Sequence, residues 1–343
     1  MPVLTVIEGG LASAQGLGNY GGQRYGISPG GAMDRLALAE ANALAGQPAG
    51  AVAIEIGPLP LRLKVAGGCI RLATSGAERD LLVNDRPVGI GATFVVQDGD
   101  IFTVRGARDG RFTYLSAQGG MLGFRSPLAN RSQPGRSWIL DPGDEIDAAS
   151  ATVGQAEVRL RTHSRSVVPI RVVLGPNLDQ FTPAAVNGFL ATRWAVSNAA
   201  NRMAYLLEGG RVEPRSRPNR ISDGTVTGNI QIAGSGQPIV ILCDRGTVGG
   251  YPKVATIISA DLGRFAQTPV GGQINFEAVS ILEAQTVARE FAHKLANIKT
   301  QIRSVDAEVS LNALLESNIA GDVFDAAQWM AEERRNPGQG ASL

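Results

Sequence analysis

Residues Gln15–Asp34 read QGLGNYGGQRYGISPGGAMD, and Gly16, Gly18 and Gly21 spell a literal G-x-G-x-x-G. A dinucleotide-binding turn needs a strand running into those glycines and a helix starting within them, so that helix amides face the pyrophosphate. Here the glycines lead into Tyr20, Gly21, Gly22 and then SPGG, and a helix can begin only near Asp34. The rest of the chain also lacks repeated strand–helix alternation. The nucleotide reading fails, and the doubly wound α/β fold goes with it.

What replaces it is a mainly β chain. Strand-like runs rich in Val, Ile, Leu and Thr recur between turn signals: PLRLKVAG from Pro60, IRLATSG from Ile70, GATFVVQDGDIFTVRG from Gly91 and RFTYLSAQGG from Arg111. The 43 glycines among 343 residues suit many short strands joined by tight turns. Asp98-Gly99, between ATFVVQ and DIFTVR, predicts a hairpin. A second β-rich block runs from about Arg171 to Val279, and the charged stretch Arg159–Pro169 reads as the seam between the halves. Helices are few. DRLALAEANALA is predicted as a helix over 34–45, capped by Asp34 and stopped by Gly46. Another is predicted over 280–303, opened by the capping-box spacing of Ser280 and Glu283. Short helices are expected at 311–320 and 323–335, before a disordered tail.

Bulk composition narrows the function. Hydrophobic residues make up 44% and charged residues 18%, with a net charge of +1 and no basic stripe. These values speak for a globular protein and against a nucleic-acid partner. No window approaches the ~20 apolar residues of a membrane span, and no signal peptide is read at the start. Cys69 and Cys243 lie in apolar runs and read as buried free thiols of a cytoplasmic protein. His163 and His293 are isolated and read as surface or structural residues. Metal-ligand spacing, a G-x-S-x-G elbow and a phosphate-binding P-loop are all absent from the sequence.

The remaining chemistry sits in glycine-rich turns. GISPGGAMD places Ser28 and the amides of Gly30, Gly31 and Ala32 before a helix start, where such amides hold a carboxylate, carbonyl or phosphate oxygen; a plain capped turn reads equally well. CDRGTVGGYPKVA offers Asp244, Arg245, Thr247, Tyr251 and Lys253 after an apolar strand. Its lysine is either a stabiliser of negative charge on oxygen or a solvated surface residue. Asn201 and Arg202 open the run NRMAYLLEGG, and SDGTVTGNIQI supplies Ser222, Asp223 and Gln231.

In this order and spacing, QRYGISPGGAMDRLALAEANALAG, NRMAYLLEGG and SDGTVTGNIQIAGSGQPIVILCDRGTVGGYPKVATIISADLGRFAQ strongly resemble one family over about residues 3–290. It is called the biotin-dependent carboxyltransferase family, allophanate hydrolase subunit 2, or the C subunit of the prokaryotic 5-oxoprolinase. The resemblance implies two cyclophilin-like β-barrel domains with a few flanking helices. We expect them at 1–165 and 166–298, with a helical extension at 299–343. It also implies a smaller sister subunit of related fold and, in 5-oxoprolinases, a third subunit, the complex opening a cyclic lactam with ATP. The alternatives are a carboxyl transfer from carboxybiotin, as in urea carboxylase, and a non-catalytic regulatory or scaffold role. Under the resemblance Lys253 becomes the electrostatic residue, with Asp244 and Tyr251 shaping its pocket. Asn201, Arg202, Ser222 and Gln231 line the substrate from the second half, and Ser28, Gly30, Gly31 and Asp34 from the first.

The chain departs from the family pattern in three signature turns. The usual Gln-Asp-x-Gly-Arg is Gln15-Gly16-Leu17-Gly18-Asn19, Arg-Met-Gly-Tyr-Arg is Arg202-Met203-Ala204-Tyr205-Leu206, and Gln-Thr-Thr-Gly-Gly is Gly246-Thr247-Val248-Gly249-Gly250. The expectation is an altered substrate or weakened catalysis.

Overall fold

The computed structural model describes residues 1–126, 138–152, 154–160, 169–215 and 222–305. The helices expected at 311–320 and 323–335, His163 and most of the expected seam lie outside them.

The chain is mainly β, built as two barrel-like units with few helices. Among the described residues, eleven strands, from Val3–Glu8 to Glu145–Ala148, form the first sheet. Two long strands, Ile70–Val83 and Ile101–Ala117, run antiparallel through its middle with three register shifts. Such irregularities bend a strand and increase its twist, so one pair serves both walls of a curved sheet. Eight strands of the described residues between Ile170 and Ala278 form the second sheet. Its first and last strands, Ile170–Leu174 and Phe276–Ala278, lie side by side and parallel.

The Asp98-Gly99 hairpin is corrected. The chain does turn there, with Gly99 at φ +85° and the Asp100 amide bonded to Gln97 O. But Thr93–Val96 pairs with Ile70–Val83, while the strand after the turn pairs with Leu61–Ala66 and Ile70–Val83. Asp98 spends its carboxylate on the Gly67 amide, tying the turn to a neighbouring loop instead of closing a two-residue hairpin.

Helix α1 spans Arg35–Leu44, its first amides capped by Asp34 Oδ1 at 3.1 Å from Leu36 N and 3.2 Å from Ala37 N. It buries Leu38 and Ala41 in a core shared by both units, beside Tyr114 from the first and Trp194, Tyr205 and Phe265 from the second. The core of the second unit is thus continuous with part of the first, which also holds a separate apolar cluster of its own. Helix α2 (Pro183–Ala191) and the short α3 (Leu262–Ala266) were not expected. Helix α4 (Ile281–Ala296) has the expected capping box but ends earlier than its sequence implies, at Asn297. Its C-terminal flank then leaves the second unit. Leu295, Ile298 and Ile302 pack on Ala39, Ala43 and Leu44 of α1, and Ile302–Ser304 pairs with Val158–Leu160. Among the described residues no helix is long and apolar enough to cross a membrane.

Candidate functional site

The Gly30–Asp34 loop meets the second unit at the start of α1. Glu55, on the all-buried strand Ala53–Ile56, points here and accepts from the Met33 amide (2.8 Å) and the Tyr114 hydroxyl (2.6 Å). From the other side comes Arg202. It donates to Glu55 Oε1, to both oxygens of Asp244 (2.8 and 2.9 Å) and to Gly31 O (2.8 Å). Burial lowers the Arg202 pKa, but Glu55 and Asp244 more than compensate, and the net shift is upward. The guanidinium is a fixed cation. Burial, reinforced by Glu55 and Asp34, keeps the Tyr114 phenol far above its ordinary pKa, so it remains a neutral donor to Glu55. Gln267 closes the seam, donating to Asp34 Oδ2 (3.0 Å) and accepting from the Arg111 and Phe112 amides. The Cys243 thiol, half-buried beside Arg202, is pushed up to about 12, chiefly by burial, which leaves it an unreactive thiol at neutral pH.

A second polar group lies just along the chain from Asp244. Lys253 starts the strand Lys253–Ile257 and is only 3% exposed, yet its ammonium forms an ion pair with Asp223, Nζ to Oδ2 3.1 Å. Gln231 is its cross-strand partner, and directly opposed residues project from one sheet face. The ribbon formed by Asp223–Gly224 and Val248–Gly249 passes over them. Gly249 comes so close that an added Cβ would stand 2.6 Å from Gln231 Nε2, which is itself buried without a hydrogen bond. Arg245 completes the group, donating through Nη1 to Thr225 Oγ1 (3.1 Å).

The residues singled out from sequence thus fall into three places. Ser28, Gly30, Gly31, Asp34, Arg202 and Asp244 meet at the seam. Lys253 and Gln231 sit under the ribbon. Tyr251 and Ser222 are exposed at its edge. Asn201 is exposed too, and its Oδ1 is committed to the Met203 and Ala204 amides as a turn. The anion-holding role expected for Ser28 and for the Gly30 and Ala32 amides is corrected. Gly30 N and Ser28 Oγ both donate to Cys243 O, and Ala32 N to Gly16 O. The two bonds to Cys243 fasten one unit to the other and the third closes the loop onto its own unit, because a buried amide left unpaired costs more than the bond it makes. Asp34 likewise caps α1 and holds Gln267.

Sequence reasoning missed Glu55, Tyr114 and Gln267, and passed over Arg245. One signal was present for Glu55: an acid in the middle of the apolar strand run VAIEIG. Such a residue is almost never fully buried unless paired. Arg245 was offered by the run CDRGTVGGYPKVA but given no role, and nothing local marks Tyr114 or Gln267.

Known proteins share this fold, and some match its sequence over most of its length. The carboxyltransferase domain family, subdomains A and B, matches residues 25–278. The chain is similar to the 5-oxoprolinase C subunit of Haemophilus influenzae, 31% identical over 292 residues, covering 81% of this chain and 92% of the relative. It is similar to the 5-oxoprolinase C subunit of Escherichia coli, also 31% identical over 291 residues, with 82% and 93% covered. Urea amidolyase of Lachancea kluyveri is 26% identical over 294 residues, which are 77% of this chain and 16% of that one. Among solved structures, the Kluyveromyces lactis urea amidolyase superposes with a TM-score of 0.76 at 23% identity, covering 86% of this chain and 20% of that chain. That likeness speaks for the fold.

Proposed function

Since the chain belongs to the carboxyltransferase domain family, subdomains A and B, we propose that it is the component of a 5-oxoprolinase-like complex equivalent to the C subunit, and that the complex opens a small cyclic amide. One observation carries this reading: the similarity to two 5-oxoprolinase C subunits extends over more than nine-tenths of their length. The match to urea amidolyase takes in only a small part of a much longer protein. The partners on this reading are a smaller sister subunit of related fold and a third, lactam-opening subunit, all in the cytoplasm.

The site supports amide chemistry. Hydrolysing or activating an amide builds negative charge on the carbonyl oxygen, and fixed donors in a water-poor setting stabilise that charge strongly. Lys253 is such a donor, held by Asp223 with Gln231 beside it. Asp244 would act through Arg202, fixing the loop from which Arg245 projects, and Tyr251 would border the entrance. ATP, consumed by the complex, would supply the activation of the carbonyl. The Gly30–Asp34 loop is a poor fit for its phosphates, since the Gly30, Ala32, Met33 and Asp34 amides are all bonded to internal acceptors.

The test is reconstitution. The chain is co-expressed with its sister subunit and a third subunit of the lactam-opening type, and ATP hydrolysis is followed with 5-oxoproline, other lactams and urea. Lactam-dependent ATP hydrolysis is the expected result. Urea-dependent consumption of carboxybiotin would replace this reading with carboxyl transfer. A stable complex without turnover on any of them would favour a scaffold.

A further inference from the structure

Among the described residues, most buried or part-buried cations are compensated in an obvious way. Arg202 has Glu55 and Asp244, Arg171 has Asp261, Arg71 has Glu157 and Lys253 has Asp223. Arg79 is wrapped by backbone carbonyls of Ile56, Gly57, Arg105 and Arg111, and Arg111 stacks on the Tyr205 ring. Arg245 differs. It is 2% exposed, and among the described residues it has no carboxylate partner. Its Nη1 donates to Thr225 Oγ1 and, at 3.4 Å, to Gly246 O. Nε is buried with no acceptor, and Nη2 has none among the described residues. A buried charge left this way costs several kcal/mol.

Arg245 also lines a cleft of about 250 Å³ between the two units. The 3-10 helix Tyr20–Tyr25 contributes Tyr20 and Gln23, α1 contributes Arg35, and the second unit contributes Thr227 and Ser259. We propose that this cleft is a binding site for the carboxylate of a small substrate, received by Arg245. Nε and Nη2 form one edge of the guanidinium, and two parallel donors on one edge match the two oxygens of a carboxylate. The Arg35 cation also lines the cleft. The volume lies below the usual range of ligand pockets, roughly 300–1,000 Å³, which suits a molecule of few heavy atoms. Burial lowers the Arg245 pKa, and a bound anion restores what burial takes away.

The identity of the ligand rests on the function proposed above: 5-oxoproline carries a carboxylate beside its lactam, whereas urea carries none. Calorimetric titration of the full chain, and of its complex without ATP, is made with 5-oxoproline, with 2-pyrrolidinone (the same ring lacking the carboxylate) and with inorganic phosphate. Loss of the carboxylate weakens binding about 10–100-fold, the range for hydrogen bonds to charged groups. Arg245→Gln removes that preference, and Arg245→Lys keeps only part of it. Arg35→Ala, an exposed change, weakens 5-oxoproline several-fold and serves if the Arg245 variants do not fold, as thermal melts will show. Equal binding of the two rings, or no binding of either, overturns the proposal. So does phosphate binding more tightly than 5-oxoproline. Lactam-dependent turnover without a carboxylate preference sinks the cleft and spares the proposed function. A carboxylate preference without turnover does the reverse.

Discussion

Arg202 and Glu55 stand 147 positions apart, in different β units, and form a direct ion pair with the Glu55 side chain 2% and the Arg202 side chain 16% exposed. Removing one partner of a buried pair leaves the other charge uncompensated and costs about 3–5 kcal/mol. Arg202→Met is therefore expected to destabilise the chain by that amount in urea unfolding at neutral pH. Combining it with Glu55→Gln recovers a large part of the loss, because the stranded carboxylate is gone. A single-variant cost under about 1 kcal/mol would show that the seam is held by packing alone.

Lys253→Met separates charge from shape. The thioether chain fills the same space, and Asp223 is 63% exposed on its side chain and can hydrate. Stability should change by less than about 1.5 kcal/mol, as for volume-conserving replacements. Turnover of the assembled complex should fall about 10²–10³-fold, the range for losing one fixed donor to a developing oxyanion. Undiminished kcat in a folded variant would remove Lys253 from the chemistry.

Gly249→Ala tests the ribbon. A methyl there stands 2.6 Å from Gln231 Nε2 and 3.1 Å from Thr225 Cγ2. Gln231 is the end of a flexible side chain, so it yields and leaves its place beside Lys253. The expected signature is lost activity with a nearly unchanged melting temperature. A large drop in melting temperature would mean the ribbon itself had broken.

Glu40 gives a pH dependence with a defined sign. Burial raises its carboxyl above the ordinary glutamate value of 4.5, the Ser75 hydroxyl opposes that shift at 2.6 Å, Asp34 adds to it and Lys294 reduces it. The folded state thus binds this proton more tightly than the unfolded one. Stability from this group is fully present below pH 4.5 and is lost as pH rises through the elevated folded value. Glu40→Gln is expected to raise the melting temperature at pH 8 and to leave it nearly unchanged near pH 4. An unchanged difference at both values would contradict the assignment.

Local patterns in the sequence carried far. Asp34 caps α1, and Ser280 with Glu283 caps α4, because a cap is a relation between residues three apart. The β character of both halves followed from turn spacing. What sequence could not show were the long-range pairings. The Asp98-Gly99 turn joins strands that found better neighbours in Ile70–Val83 and Leu61–Ala66. The Gly30 and Ala32 amides look available in a linear reading and are taken by Cys243 and Gly16 once the chain folds. Lys253, Gln231, Arg202 and Asp244 were picked as polar residues at turns. Their division into a seam and a ribbon-covered group depends on which strands lie side by side.

The pairing of Val158–Leu160 with Ile302–Ser304 has one more meaning. The second unit begins and ends on adjacent parallel strands, Ile170–Leu174 and Phe276–Ala278, and the chain on either side of it is buttoned together on the first. It is an insertion with both ends anchored in its host, rather than a bead that follows another on a string. Severing the chain near residue 169 would strip the host of Leu295, Ile298 and Ile302, which cover α1. The two halves are therefore bound to fold, and to fail, together.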